Sequence, residues 1–194
     1  GNNSLFLADV KFTSKFLEGN KGFDAIIPEA AECKLAGFFN EPEITSNTKL
    51  LYIHGGADDY TPPEPCIDYV NKIKSKPGQV KIDIKEGWYH GFNLGVKPKK
   101  YQAMKVSDCP AFFIDNNGLV IGNVWPDLVL NKYKLYSSLD DFYDAAQNDP
   151  KKAWKNSFKI LKKEKCLKRG VMIGGKHMEE YMPQFINFFK ENLL

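Results

Sequence analysis

The residues of this chain whose types and spacing could do chemistry together are an acid and a histidine, one strand apart. Asp58 or Asp59 follows an apolar run, Leu50-Leu51-Tyr52-Ile53, that ends in His54-Gly55-Gly56. His90 follows a second run, in which Val80, Ile82 and Ile84 alternate with Lys81, Asp83 and Lys85. Short runs of β-formers stopped by glycine read as strands. Between them Cys66, Tyr69, Val70 and Ile73 share one helical face, and Pro77-Gly78 ends it. A strand–helix–strand unit of this length forces a parallel pair through a right-handed crossover. Both strands then end at the same sheet edge, where open parallel sheets do their chemistry. An acid after one strand and a histidine after the next is the second half of a Ser…Asp…His order. In that chemistry the histidine moves a proton and the carboxylate orients it.

The same residues carry a family resemblance. His54-Gly55-Gly56-Ala57-Asp58-Asp59-Tyr60-Thr61-Pro62 fits an H-G-x-x-D-x-x-V/T-P pattern, and Tyr89-His90-Gly91-Phe92 fits Y-H-G-F. In these two motifs, one helix and one strand apart, the stretch resembles the α/β-hydrolases of the dienelactone hydrolase family. The resemblance is strongest over residues 22 to 93. It implies an α/β-hydrolase fold, of which this chain supplies the C-terminal portion of the parallel sheet. It implies Asp58 as the triad acid, His90 as the base, and a small-molecule ester or lactone as substrate. Tyr60, Trp88, Tyr89 and Phe92 are then expected to wall the pocket, with packing as the alternative for each.

Such an enzyme needs a nucleophile elbow, G-x-S-x-G, just before a helix. No G-x-S-x-G occurs in the sequence. Residues Gly1 to Leu17 read as one helix, with Leu5, Ala8, Phe12 and Phe16 on one side and Glu18-Gly19-Asn20 as its stop. Phe23-Asp24-Ala25-Ile26-Ile27-Pro28 reads as the following strand. By the resemblance, Gly1 falls on the last glycine of the elbow, so the nucleophile is expected on an N-terminal segment preceding this chain. Ser4, inside the helix, reads as an ordinary first-turn serine. Glu29 and Glu32, in the loop after the strand, read as surface carboxylates.

Beyond Phe92 the pattern changes. Lys97 to Lys105 reads as a polar loop. Ala111 to Ile114 and Leu119 to Gly122 read as a β-hairpin turning at Asn117-Gly118. Ser138 starts a short helix over Leu139 to Ala146. Pro150 opens another, with Ala153, Trp154, Phe158, Ile160 and Leu161 as its apolar face. Gly174-Gly175 precedes a last helix carrying Tyr181, Phe185, Phe188, Phe189 and Leu193, a stripe expected to cover the sheet. The whole, 1–194, reads as a single α/β domain, and 107–175 as a small hairpin-plus-helix insertion before the last helix. Some periplasmic relatives in the resembled family carry a cysteine-flanked insertion of this kind.

Composition excludes several classes. The 194 residues are 43% hydrophobic and 13% aromatic, enough for a core, and the net charge is only +3. No nucleic-acid motif accompanies the lysine-rich patches. No apolar run approaches the ~18 residues that span a bilayer. The four cysteines have no CxxC spacing and permit three pairings. Cys33 and Cys66 are expected to meet at the sheet edge, and Cys109 and Cys166 to close the insertion. Two disulfides would imply a periplasmic or secreted protein; four free thiols would imply a cytoplasmic one. Of the three histidines, His54 reads as structural with its ring bonded to backbone. His177 reads as a surface or helix-start residue. No metal spacing joins them, and neither metal nor cofactor is expected. The alternative to a hydrolase is a non-catalytic binding or interaction module of the same architecture, with the basic insertion as its working surface.

Overall fold

The computed structural model describes residues 1–16, 22–35, 38–117 and 119–194. The expected helix stop at residues 18–20 and the turn glycine Gly118 lie outside them. The chain opens with two short helices, α1 (Asn2–Ala8) and α2 (Val10–Phe16), where the pattern predicts one. Asp9 separates them in an extended conformation (φ −80°, ψ 122°). Its Oδ1 accepts from the Lys11 amide at 2.8 Å, and the Val10 amide donates to the Glu43 carbonyl at 2.7 Å. Aspartate competes for backbone amides and so starts helices better than it continues them. In the sequence the apolar period Leu5, Ala8, Phe12 runs through the break, so periodicity alone does not reveal it.

Next come β1 (Ala25–Ile26), β2 (Phe38–Phe39) and β3 (Lys49–Gly55), then α3 (Glu64–Asn71) and β4 (Val80–Lys85). Strands β1, β3 and β4 form a parallel sheet in that order, with Leu50 opposite Val80 and Gly55 opposite Lys85. A further bridge from Glu29 to Ile53 prolongs the β1 edge. The crossover expected between β3 and β4 is present.

The rest contains β5 (Val96–Lys105), β6 (Phe113–Ile114) and α4 (Val124–Pro126), which runs into a π-helical turn, Asp127–Lys132. Then follow α5 (Leu139–Asn148), α6 (Pro150–Lys163), β7 (Lys168–Gly175) and α7 (Met178–Leu193). Ser138 caps α5 by accepting from the Asp141 amide, and Asp149 caps α6 by accepting from the Lys152 amide. Strand β5 corrects the expected loop at Lys97 to Lys105. It pairs antiparallel with β7, Tyr101 opposite Val171. Its partner lies some 70 residues away, and its lysine-rich face is exposed, so local pattern offers no strand signal. The expected hairpin is reduced to one bridge, Ile114 to Val120. β6 instead pairs in parallel with β2.

Strand β3 is the centre of the molecule, and alternation divides its side chains between two cores. Leu50 and Tyr52 pack with Leu5, Ile26, Cys66 and Val70, under α1 and α3. Leu51 and Ile53 pack with Ile27, Trp88, Tyr181 and Phe188, under α7. Helices on both faces of a parallel sheet make this an α/β arrangement. The insertion has its own core of Trp125, Leu128, Val129, Ile160 and Leu161 around Cys109 and Cys166. Burying each of those aliphatic side chains stabilises by about 2 kcal/mol. Trp154 departs from its expected place on the buried face of α6 and is 58% exposed.

Candidate functional site

The turns after β3 and β4 interlock. A Cβ on Gly55 would stand 2.2 Å from the Trp88 carbonyl oxygen, so only glycine lets the two turns approach this closely. The Gly56 amide donates to the Lys85 carbonyl at 2.7 Å, and the Ala57 amide to the Trp88 carbonyl at 2.9 Å. This contact sets Asp58 beneath His90.

Asp58 is 3% exposed, and every donor around it is accounted for. Its Oδ1 accepts from the Tyr60 amide at 3.0 Å and the Thr61 amide at 2.9 Å. Its Oδ2 faces His90 Nδ1 at 2.9 Å, Thr61 Oγ1 at 3.0 Å and His54 Nε2 at 3.1 Å. Burial alone would raise the pKa of this carboxyl. The hydrogen bonds from His54 and His90, the charge of His90 and the Thr61 amide outweigh burial and hold it well below the usual carboxylate range. Asp58 is therefore a carboxylate. A carboxylate on the Nδ1 side of the His90 ring favours a proton on that nitrogen.

His54 belongs to the same network. Its Nε2 donates to the Thr61 carbonyl at 2.7 Å as well as facing Asp58. Its Nδ1 accepts from the Tyr52 hydroxyl, which burial keeps protonated by raising its pKa. The ring is bonded to backbone, as its place at a strand end suggests. It also meets the same Asp58 oxygen, Oδ2, as His90. The signal for this in the sequence is His54 four residues before Asp58 across a glycine turn. Thr61, in the same motif, reaches Asp58, His90 Nδ1 at 3.0 Å and the Ala30 carbonyl at 3.3 Å. Asp59 points elsewhere: its Oδ1 accepts from the Met172 amide at 2.9 Å and fastens β7 beside the site.

His90 has a quarter of its side chain exposed. It borders a cleft of about 340 Å³ lined by Gly1, Ser4, Ile27, Glu29, His90 and Asn93, among others. Of the expected pocket walls, Tyr60 packs edge-on against the His90 ring at 4.8 Å between centroids. Phe92 borders the cleft but is 1% exposed. Trp88 is a core residue between the sheet and α7, tilted against Phe92 at 4.8 Å and stacked on His177 at 4.4 Å. Tyr89 is half-buried and is not a lining residue. His177 sits at the start of α7, as its position suggests.

Glu29 and Glu32 are not solvated surface groups. Glu32 accepts from the Lys34 amide at 2.7 Å and the Leu35 amide at 2.9 Å, and burial raises its pKa. Glu29 is held at the cleft by Asn93 Nδ2 at 3.0 Å and by the Tyr181 hydroxyl. Neither partner is near it in sequence, so its place there is invisible to local pattern.

Ser4 lines the cleft from the first turn of α1. Among the described residues no hydroxyl or thiol is within hydrogen-bond distance of His90 Nε2. No group of three or more His, Cys, Asp or Glu among them could hold a metal ion. Both expected disulfides form, Cys33–Cys66 with Cα atoms 5.0 Å apart and Cys109–Cys166 at 4.9 Å. The first joins the loop after β1 to α3, and the second closes the insertion. No described helix is long and apolar enough to cross a membrane. A separate apolar cavity of about 200 Å³ lies in the insertion between Trp125, Phe142, Ala153 and Leu161, away from His90.

No family model matches the chain, and neither the curated proteins nor the solved structures contain a significant match to it.

Proposed function

We propose that this chain is the acid- and base-bearing part of a serine hydrolase of the dienelactone hydrolase type, with an α/β-hydrolase fold, acting on an ester or lactone. The observation that carries the reading is the buried Asp58 Oδ2 held 2.9 Å from His90 Nδ1 at the C-terminal edge of adjacent parallel strands. In this reading His90 Nε2 takes the proton of a nucleophile and returns it to the leaving group. Asp58 holds the ring in the reactive tautomer and stabilises the imidazolium. In this reading the nucleophile and the oxyanion hole belong to an elbow at this edge and are not among the residues of this chain.

Gly1 supports that placement. It lines the same cleft as His90. A Cβ there would stand 2.3 Å from the Glu29 carbonyl oxygen, so the start of α1 lies against the sheet edge in a way only glycine permits. That close packing is what the last glycine of a nucleophile elbow provides. The two disulfides fit an oxidising compartment, periplasmic or extracellular.

The test is turnover of a p-nitrophenyl ester by the full-length protein. His90→Ala, folded by circular dichroism, should lower kcat by roughly 10⁴-fold or more. Unchanged turnover removes His90 from the mechanism. A second reading, a non-catalytic binding module, draws on the lack of a nucleophile at His90 Nε2 among the described residues and on the apolar cavity of the insertion. A full-length protein that neither hydrolyses esters nor takes a fluorophosphonate label would favour it.

A further inference from the structure

The cleft beside His90 is lined by one carboxylate, Glu29, and by Gly1, whose amino group that carboxylate attracts. The lining includes no lysine or arginine. Among the described residues, no lysine, arginine or histidine side chain ion-pairs Glu29. Both groups that bond it are neutral. Asn93 donates to Oε2 at 3.0 Å, and the Tyr181 hydroxyl donates to Oε1. Burial first, and then the bond to Glu29, raise the pKa of Tyr181, so the proton stays on the phenol. The carboxylate is thus fixed in place by two dipoles.

Three elements converge to fix it. The backbone on either side of Glu29 is paired with β3, where the Ile53 amide donates to the Pro28 carbonyl at 3.0 Å and the Ala30 amide to the Ile53 carbonyl at 3.1 Å. Ala30 then turns away with φ of +43°, an uncommon angle for alanine. Asn93 comes from the His90 turn and Tyr181 from α7. A surface carboxylate has no need of such a frame. Its effect is to hold a negative charge at a set distance from the base, facing the same cleft.

We propose that Glu29 sets the charge preference of the site: it accepts substrates with a cationic or neutral group beside the scissile bond and rejects anionic ones. The ligand class is an alkylammonium or amine-bearing ester. The inference deepens the hydrolase reading and rests on it for the word ester. The cation preference of the cleft stands on Glu29 alone.

Two measurements on the full-length protein separate these claims. The first compares kcat/KM for p-nitrophenyl esters of matched length ending in trimethylammonium, tert-butyl or carboxylate. The expected order is ammonium above tert-butyl above carboxylate. Glu29→Gln keeps an acceptor for Tyr181 and should shrink each step by about tenfold, mainly in KM, with the tert-butyl ester little changed. The second follows NMR shifts of His90 and Asn93 on adding butyltrimethylammonium, which needs no turnover. Binding that Glu29→Gln weakens supports the charge preference even if no ester is cleaved, in which case only the hydrolase reading falls. Turnover with no charge preference, or with a preference that Glu29→Gln and Glu29→Ala leave unchanged, overturns the role of Glu29 and leaves the hydrolase reading intact.

Discussion

Asp58 gathers two histidine rings, two backbone amides and a threonine hydroxyl on one carboxylate. Replacing it with asparagine would keep the Oδ1 contacts but present an N–H to His90 Nδ1, which favours the wrong tautomer. Asp58→Asn should therefore lower kcat by roughly 10⁴-fold in the full-length protein while the fold persists. The same residue sets a pH dependence of stability. Its folded pKa lies below the unfolded value, so its contribution is present above about pH 4 and is lost as pH falls below that. Urea unfolding from pH 7 down to pH 3 should show declining stability on the acid side, and Asp58→Asn should flatten that decline. Tyr52→Phe would leave His54 Nδ1 without its donor in a site with no solvent. The expected cost is about 1–3 kcal/mol, read from the urea midpoint, with His90 still in place.

Among the elements, the β5–β7 ribbon is fastened to the site turns by both side chain and backbone. Asp59 holds the Met172 amide, while the Gly174 amide donates to the His90 carbonyl at 2.8 Å. Asp59→Ala should speed hydrogen exchange at Met172 by roughly tenfold, the loss of about one hydrogen bond, with less change at β3 and β4. Equal exchange in both proteins would mean that the ribbon is held by its own pairing. The elements that sequence reveals are those whose partners are close. The β3–α3–β4 unit, the cap at Ser138 and the helix start at Pro150 are local, and each is legible. The pairing of Val96–Lys105 with Lys168–Gly175 is not, because lysines on an exposed ribbon leave no apolar alternation to read. The break at Asp9 is hidden for the opposite reason: apolar periodicity continues across it. At the site, Asp58 and His90 are legible through their motifs. His54 is legible as a ring bonded to backbone, while Glu29 is not, since its place appears only when Asn93 and Tyr181 fold against it.

Across the whole molecule, each disulfide lies within one core: Cys33–Cys66 in the one between the sheet, α1 and α3, and Cys109–Cys166 in that of the insertion. The insertion packs on itself, and Cys109–Cys166 closes a loop whose ends are 57 residues apart. In the chain-entropy account that link contributes about 4 kcal/mol. Reduction should lower the melting temperature, and the Cys109→Ser/Cys166→Ser pair should unfold the insertion before the sheet. The sheet edge relies on packing from both faces of β3 and should keep the Asp58–His90 contact in that variant.

The most direct test of that contact is the protonation of the His90 ring in solution. Nitrogen-15 NMR of the histidines at pH 8 should show His90 with its proton on Nδ1, in a strongly downfield resonance that Asp58→Asn abolishes. A His90 ring protonated on Nε2, or one indifferent to the loss of the Asp58 carboxylate, would contradict the account.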